Sequence, residues 1–262
     1  MISVTSAQLT AWIAAFFFPL ARILALISSS PVLGNKQIPI RIKVGLAMLI
    51  TVIVAPTVNM PPNIEPASAI GLLVLAQQVL IGLAMGFTMR LIFTAIEMAG
   101  DLAGMQMGLG FASFYDPVNA SYSPVIAQFL GILTTLAFLG FNGHLYMLAS
   151  LADTFQAFPI SATMPSAAAF RTMAESGGII FSHALQLSMP LIGALMITNL
   201  ALGILTRSAP QLNIFAVGFP ITLTVGFASL ALSLPYLAPM LDHIINESLD
   251  TMQRIAVQMA KH

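Results

Sequence analysis

Residues Glu97–Pro124 read EMAGDLAGMQMGLGFASFYDPVNASYSP. Long apolar segments flank this stretch, yet it concentrates acids, glycines and prolines. Gly100, Gly104 and Gly108 recur at every fourth residue, so a helix places them on roughly one face. A face without side chains lets another helix approach closely. Helical periodicity then fades. Gly110-Phe-Ala-Ser-Phe-Tyr-Asp-Pro-Val-Asn119 reads as a loop, because Pro117 biases Asp116 away from helical geometry. Within a membrane, irregular backbone survives only where protein buries it or a water-filled cavity borders it. The loop is therefore read as turned inward, toward a pore or a protein-lined cavity.

Composition sets the class. The 262 residues are 58% hydrophobic and only 7% charged, and mean hydropathy is +0.94. Soluble domains carry about 25% charged residues. A polytopic membrane protein, or a subunit packed in a membrane complex, is expected. Nine basic and nine acidic residues cancel, so no basic field points to nucleic acid. The chain contains no cysteine, which excludes disulfides, thiolate catalysis and cysteine-ligated metal. Met1–Thr10 has no basic start, Arg22 interrupts the first apolar run, and no cleavage site is evident; no removable signal peptide is expected.

About six apolar segments are expected, each weighed against the roughly 20 residues a span needs. They run over 9–33, after a helix cap at Ser6, then over 44–58, 67–98, 125–150, 178–205 and 212–237. No strand-like alternation competes, so the fold is read as all-α. Pro19, Pro190, Pro220 and Pro235 fall inside three of these segments, which are therefore expected to bend or to split into half-helices. Pro165-Ser166 opens a short alanine-rich helix that Gly177-Gly178 closes. Positions 241–262 form an amphipathic helix, with Leu241, Ile245, Met252, Ile255 and Met259 on its apolar side. That side is expected to lie on a membrane surface or a partner. Lys36, Arg41 and Lys43 in one loop and Arg207 in another share a side of the bundle, and the positive-inside rule makes it cytoplasmic, with both termini outside.

Residues able to carry chemistry are sparse. Arg90, Thr94, Glu97 and Asp101 share a helix face; an ion path is one reading, a structural Arg90–Glu97 pair the plainer one. Arg22 either snorkels to the interface or pairs with a partner. His144, His183, His243 and His262 lack a second ligand at metal spacing, and no metal is expected. Nucleophile-elbow, zincin and phosphate-loop patterns are absent, so no enzyme is expected. Of the methionines Met85, Met89, Met98, Met105 and Met107 near the central stretch, Met105 and Met107 are the candidates for a flexible gasket.

Several motifs together resemble the family of the flagellar biosynthetic protein FliR, shared with the T-subunits of injectisomes. They are Pro31-Val-Leu-Gly34, Ile38-Pro-Ile-Arg41-Ile-Lys43-Val-Gly45, Gly82-Leu-Ala-Met-Gly86-Phe and the run Glu97–Pro117. The likeness covers nearly the whole chain, the C-terminal third mainly in its apolar pattern. It implies a single export-gate subunit over 1–262: an all-α membrane protein of bent, proline-broken helical hairpins packed in a helical assembly. Its home would be the bacterial inner membrane, within the flagellar basal body. Its implied partners are two smaller subunits in multiple copies (FliP-like and FliQ-like), an FlhB-like specificity-switch protein and unfolded secreted flagellar proteins.

In that family the loop matching Gly108–Tyr122 plugs a conduit. The resemblance therefore extends the inward loop to a plug over 106–122, with Met105, Met107, Gly108, Gly110, Phe111, Ser113, Phe114, Tyr115, Asp116 and Pro117 as gate residues. Gly82, Gly86, Gly100 and Gly104 are the expected helix-packing positions, and Gly104→Leu is expected to block assembly. Lys36, Arg41, Lys43 and Arg207 are the expected cytoplasmic contacts. An injectisome subunit is the alternative membership. A small-solute transporter is disfavoured by the missing repeat and the sparse polar groups.

Overall fold

The computed structural model describes residues 5–58, 64–111, 124–211 and 213–260. Among these every regular element is helical: α1 Ser6–Ser29, α2 Ile40–Val54, α3 Ala69–Gln106, α4 Val125–Gly140, α5 Gly143–Ala157, α6 Ala167–Ser176, α7 Gly178–Ser208 and α8 Ile214–Ala260. Short 3-10 turns at Ala55–Thr57 and Leu109–Phe111 extend α2 and follow α3. Five stretches are long and apolar enough to cross a membrane, and α4 with α5 makes a sixth if counted as one broken span. The chain is thus an all-α protein of the membrane type.

Several boundaries differ from the sequence reading. The cap of α1 is Thr5, not Ser6. Thr5 Oγ1 accepts from the Gln8 amide at 3.3 Å, and Gln8 Oε1 accepts from the Thr5 amide at 3.1 Å, which closes a reciprocal capping box. No proline divides its helix: Pro19 lies within α1, Pro190 within α7, and Pro220, Pro235 and Pro239 within α8. Each ring removes one backbone bond, while burial of neighbours such as Phe18, Ile23, Leu26 and Ile27 holds α1 together through Pro19. The interruption falls instead inside the expected fourth segment, at Phe141-Asn142. Asn142 takes a left-handed φ of 58°, which asparagine tolerates better than most residues.

The chain forms two compact units. The first comprises Met1–Leu91, Asn142–Gly177 and Ile245–His262. Phe18, Leu26, Ile81, Met85, Met147, Leu151, Phe155, Met252, Ile255 and Met259 are buried in it. Its helices approach closely at two glycines of α3. A Cβ on Gly82 would strike the Arg22 carbonyl oxygen and come within 2.8 Å of Ala25 Cβ. One on Gly86 would strike the Ser29 hydroxyl. α8 runs without a break into the expected tail, where Ile245, Leu249, Met252, Ile255 and Met259 are buried by the chain itself rather than laid on a membrane or a partner. Ser248 Oγ donates to the Thr88 carbonyl at 3.2 Å, Gln253 Nε2 to Ser150 Oγ at 3.1 Å, and the Ser166 amide to the Met259 carbonyl at 3.3 Å.

The second unit comprises Ile92–Phe141 and Gly178–Ile244. Ile92, Ile96, Met107, Ile126, Leu130, Leu191, Leu195, Leu241 and Ile244 form its core. Phe93 and Phe138 meet edge to face, with centroids 5.7 Å apart.

Candidate functional site

The central stretch belongs to the second unit, where α3 delivers it and α4 receives the chain afterwards. Two glycines of the expected packing face behave differently. A Cβ at Gly100 would lie 2.5 Å from Ala127 Cα and 2.7 Å from its nitrogen, so α3 touches the backbone of α4 there. At Gly104 the nearest heavy atom would be Ile126 Cγ1 at 3.8 Å, which is ordinary contact. Within the chain, the crowding is at Gly100 and not at Gly104. Gly108 does not continue the face, because α3 ends at Gln106 and Gly108 has φ 86°. Its amide donates to the Met105 carbonyl at 3.0 Å, closing the helix in the left-handed conformation glycine adopts freely.

The two gasket candidates part company. Met105 is 54% exposed, whereas Met107 is fully buried in the core of the second unit. The Met107 side chain fills the space over Gly226 of α8, where an added Cβ would come within 2.5 Å of Met107 Cγ. Thr222 Oγ1 donates to the Met107 carbonyl at 3.2 Å. Met107 is thus an anchor rather than a mobile seal. Past it, Leu109–Phe111 makes a 3-10 turn, and a Cβ on Gly110 would meet nothing within 4 Å. Gly100, Gly104, Leu109, Gly110, Pro124 and Ile126 line one small cavity, so the chain departs and returns at a single place. Of the other gate residues, Ser113, Phe114, Tyr115, Asp116 and Pro117 lie outside the described residues, and for Phe111 only the backbone is described.

The polar stripe is graded by exposure. Arg90 and Glu97 are exposed, while Thr94 and Asp101 are half-buried. Glu97 lies across Gly131 of α4, its Oε1 being 3.5 Å from the position a Cβ would take. Among the described residues no three histidine or acidic side chains gather as a metal ion requires. Lys36, Arg41 and Arg207 are exposed; Lys43 is half-buried, and its Nζ donates to the Gly34 carbonyl at 2.8 Å.

Sequence reasoning missed two arrangements. One is the Thr222–Gly226 seat of Met107, formed by residues more than a hundred positions away. The other surrounds Arg22, which is fully buried rather than snorkelling to an interface. Its Nε donates to Gln78 Oε1 at 2.8 Å, Nη1 to the carbonyl and hydroxyl of Thr154 at 3.0 and 3.1 Å, and Nη2 to the Phe158 carbonyl at 3.0 Å. Adjacent glutamines, Gln77-Gln78, in the otherwise apolar first half of α3 were the available signal, since buried polar groups need partners.

Comparison with known proteins places this architecture. The chain is 47% identical over 261 residues to the flagellar biosynthetic protein FliR of Pectobacterium carotovorum subsp. carotovorum, covering 99% of each chain. It is 46% identical over 248 residues to the FliR of Escherichia coli (strain K12), covering 94% of each. To that of Bacillus subtilis (strain 168) it is 29% identical over 244 residues, 92% of this chain and 94% of the relative. Residues 13–248 match the family described as bacterial export proteins, family 1. With nearly the whole length aligned and the helical membrane-type fold in place, the chain belongs to family 1 of the bacterial export proteins.

Proposed function

We propose that this chain is a structural and gating subunit of the flagellar type III protein export apparatus, seated in the bacterial inner membrane within the basal body. The observation that carries the reading is the full-length similarity to relatives named as flagellar biosynthetic proteins. The exposed apolar faces support a subunit that lipid or neighbouring subunits cover: Ile40, Leu49, Val52 and Ile53 on α2, and Ile197, Leu200 and Ile204 on α7. The neighbours proposed are FliP-like and FliQ-like subunits in several copies and an FlhB-like switch protein, the latter reached through Lys36, Arg41, Lys43 and Arg207. The cargo is unfolded flagellar protein, and the role is structural rather than catalytic.

The gate is proposed to be the segment between Gly108 and Tyr122. Three features of its described flanks support this. Met107 anchors the entry, Gly108 takes the left-handed backbone conformation, and Gly110 and Pro124 border one cavity. In a strain whose own gene is deleted, the intact chain should restore motility. Shortening Gly110–Asn119 should leave assembly intact but make the inner membrane leaky to small ions, read as dye influx. Unaltered permeability with normal assembly would remove the gate from the proposal. Failure of the intact chain to restore export would remove the flagellar assignment itself.

A further inference from the structure

Arg22 stands apart from everything the export reading uses. We infer that it is an internal cap on the C-terminal end of α5, rather than a charge offered to lipid, to a channel or to another protein. An α-helix leaves its last four carbonyls without intrahelical partners, and that end carries partial negative charge. Two of the Arg22 donors reach this end, one at the Phe158 carbonyl just past the last turn and one at the Thr154 carbonyl, which also accepts from the Phe158 amide at 2.9 Å. Thr154 Oγ1 accepts from Arg22 and donates its own proton to the Leu151 carbonyl at 2.6 Å, so the hydroxyl links the guanidinium to the preceding turn of α5. The third arm fixes α3 through Gln78. The guanidinium also lies over the Phe155 ring, its Cζ 4.2 Å from the centroid, in cation–π geometry.

Among the described residues no carboxylate pairs with this cation. Its counter-charge is the helix end, supported by a ring face and an amide oxygen. A planar fork with donors in fixed directions suits this task, and a single ammonium does not. The cap also fixes the segment that connects α5 to α6. Phe158 begins this connection, in which Ile160 is buried and the Thr163 carbonyl accepts from Gln77 Nε2 at 3.2 Å. Arg22 of α1 and Gln77 of α3 thus hold two carbonyls of one connecting segment, and Ile160 lies between them.

The absence of native cysteine allows a direct test in the full chain in native membranes. A single Ile160→Cys reporter sits in the capped segment, and a single Leu195→Cys reporter sits in the core of the second unit, where Leu195 is fully buried. Both should resist a small membrane-permeant thiol reagent in the otherwise unaltered chain. Adding Arg22→Met, or Arg22→Lys, should speed labelling at position 160 at least tenfold and leave position 195 protected. Protection at 160 that survives Arg22→Met would overturn the cap and return Arg22 to an outward role. Full protection with Arg22→Lys would overturn the requirement for a fork. Equal labelling at both positions would overturn the confinement of the effect to the first unit.

Discussion

Gly100 and Gly104 differ by one turn of helix and by more than an ångström of free space. Gly100→Ala drives a methyl group into the Ala127 backbone, where nothing flexible can yield, and should destabilise the protein by about 1–3 kcal/mol. Gly104→Ala meets only ordinary contacts and should be neutral or stabilising by about 0.5–1 kcal/mol, since alanine favours the helix interior. Thermal melting of the purified chain separates the two, and a lower midpoint for Gly104→Ala than for Gly100→Ala would contradict the geometry. Gly108→Ala belongs to a third class. Its cost, about 1–2 kcal/mol, comes from the left-handed backbone rather than from crowding. The periodic glycines were visible in the sequence. Their three different roles were not, because each depends on where α4 lies and where α3 stops.

Helices here are decided by their ends and partners more than by their prolines. Proline removes one bond from a ladder, and an apolar face buried along several turns outweighs it, as α1 illustrates around Pro19. At the N-terminus of α1 the pair Thr5 and Gln8 satisfies orphan donors, so Thr5→Ala should cost about 1 kcal/mol. Amide exchange in the first turn of α1 should accelerate accordingly while the rest of that helix stays protected; an unchanged first turn would refute the capping box. Losing the Arg22 guanidinium would strand the Phe158 carbonyl at the far end of α5 and Gln78 Oε1 on α3, at about 1–3 kcal/mol each, while the Thr154 carbonyl would keep the Phe158 amide. The sequence marked Arg22 as costly at membrane depth. It could not reveal that the compensating charge is a helix terminus, since that pairing joins residues 132 positions apart.

At the scale of the molecule, segments distant in the chain complete each unit. The first unit takes residues from the beginning, the middle and the end of the sequence. Its last contributor, the end of α8, inserts Met252, Ile255 and Met259, all buried. Ending the chain after Ile244 should therefore expose that core and abolish accumulation of the protein in membranes, measured by immunoblot against the full chain. A Leu195→Cys reporter should stay protected in any truncated chain that does accumulate, because the core of the second unit contains no residue beyond Ile244. Normal accumulation of the truncated chain would show that the end of α8 is dispensable. An amphipathic tail was legible as a period of apolar residues. What it covers was not, since a membrane surface, a partner and the chain's own helices all offer an apolar face.

The sequence by itself determined the class of molecule, the order of its long apolar helices, and the position of the glycine-rich stretch ahead of α4. Those properties arise from composition and from local periodicity, which act over a few turns of chain. Only the tertiary structure decided that Met107 is an anchor, that Gly100 rather than Gly104 is crowded, that Asn142 rather than any proline interrupts a helix, and that Arg22 closes the end of α5. Except at Asn142, the deciding atoms belong to another segment, and a buried group takes its role from whichever partner packing brings within reach.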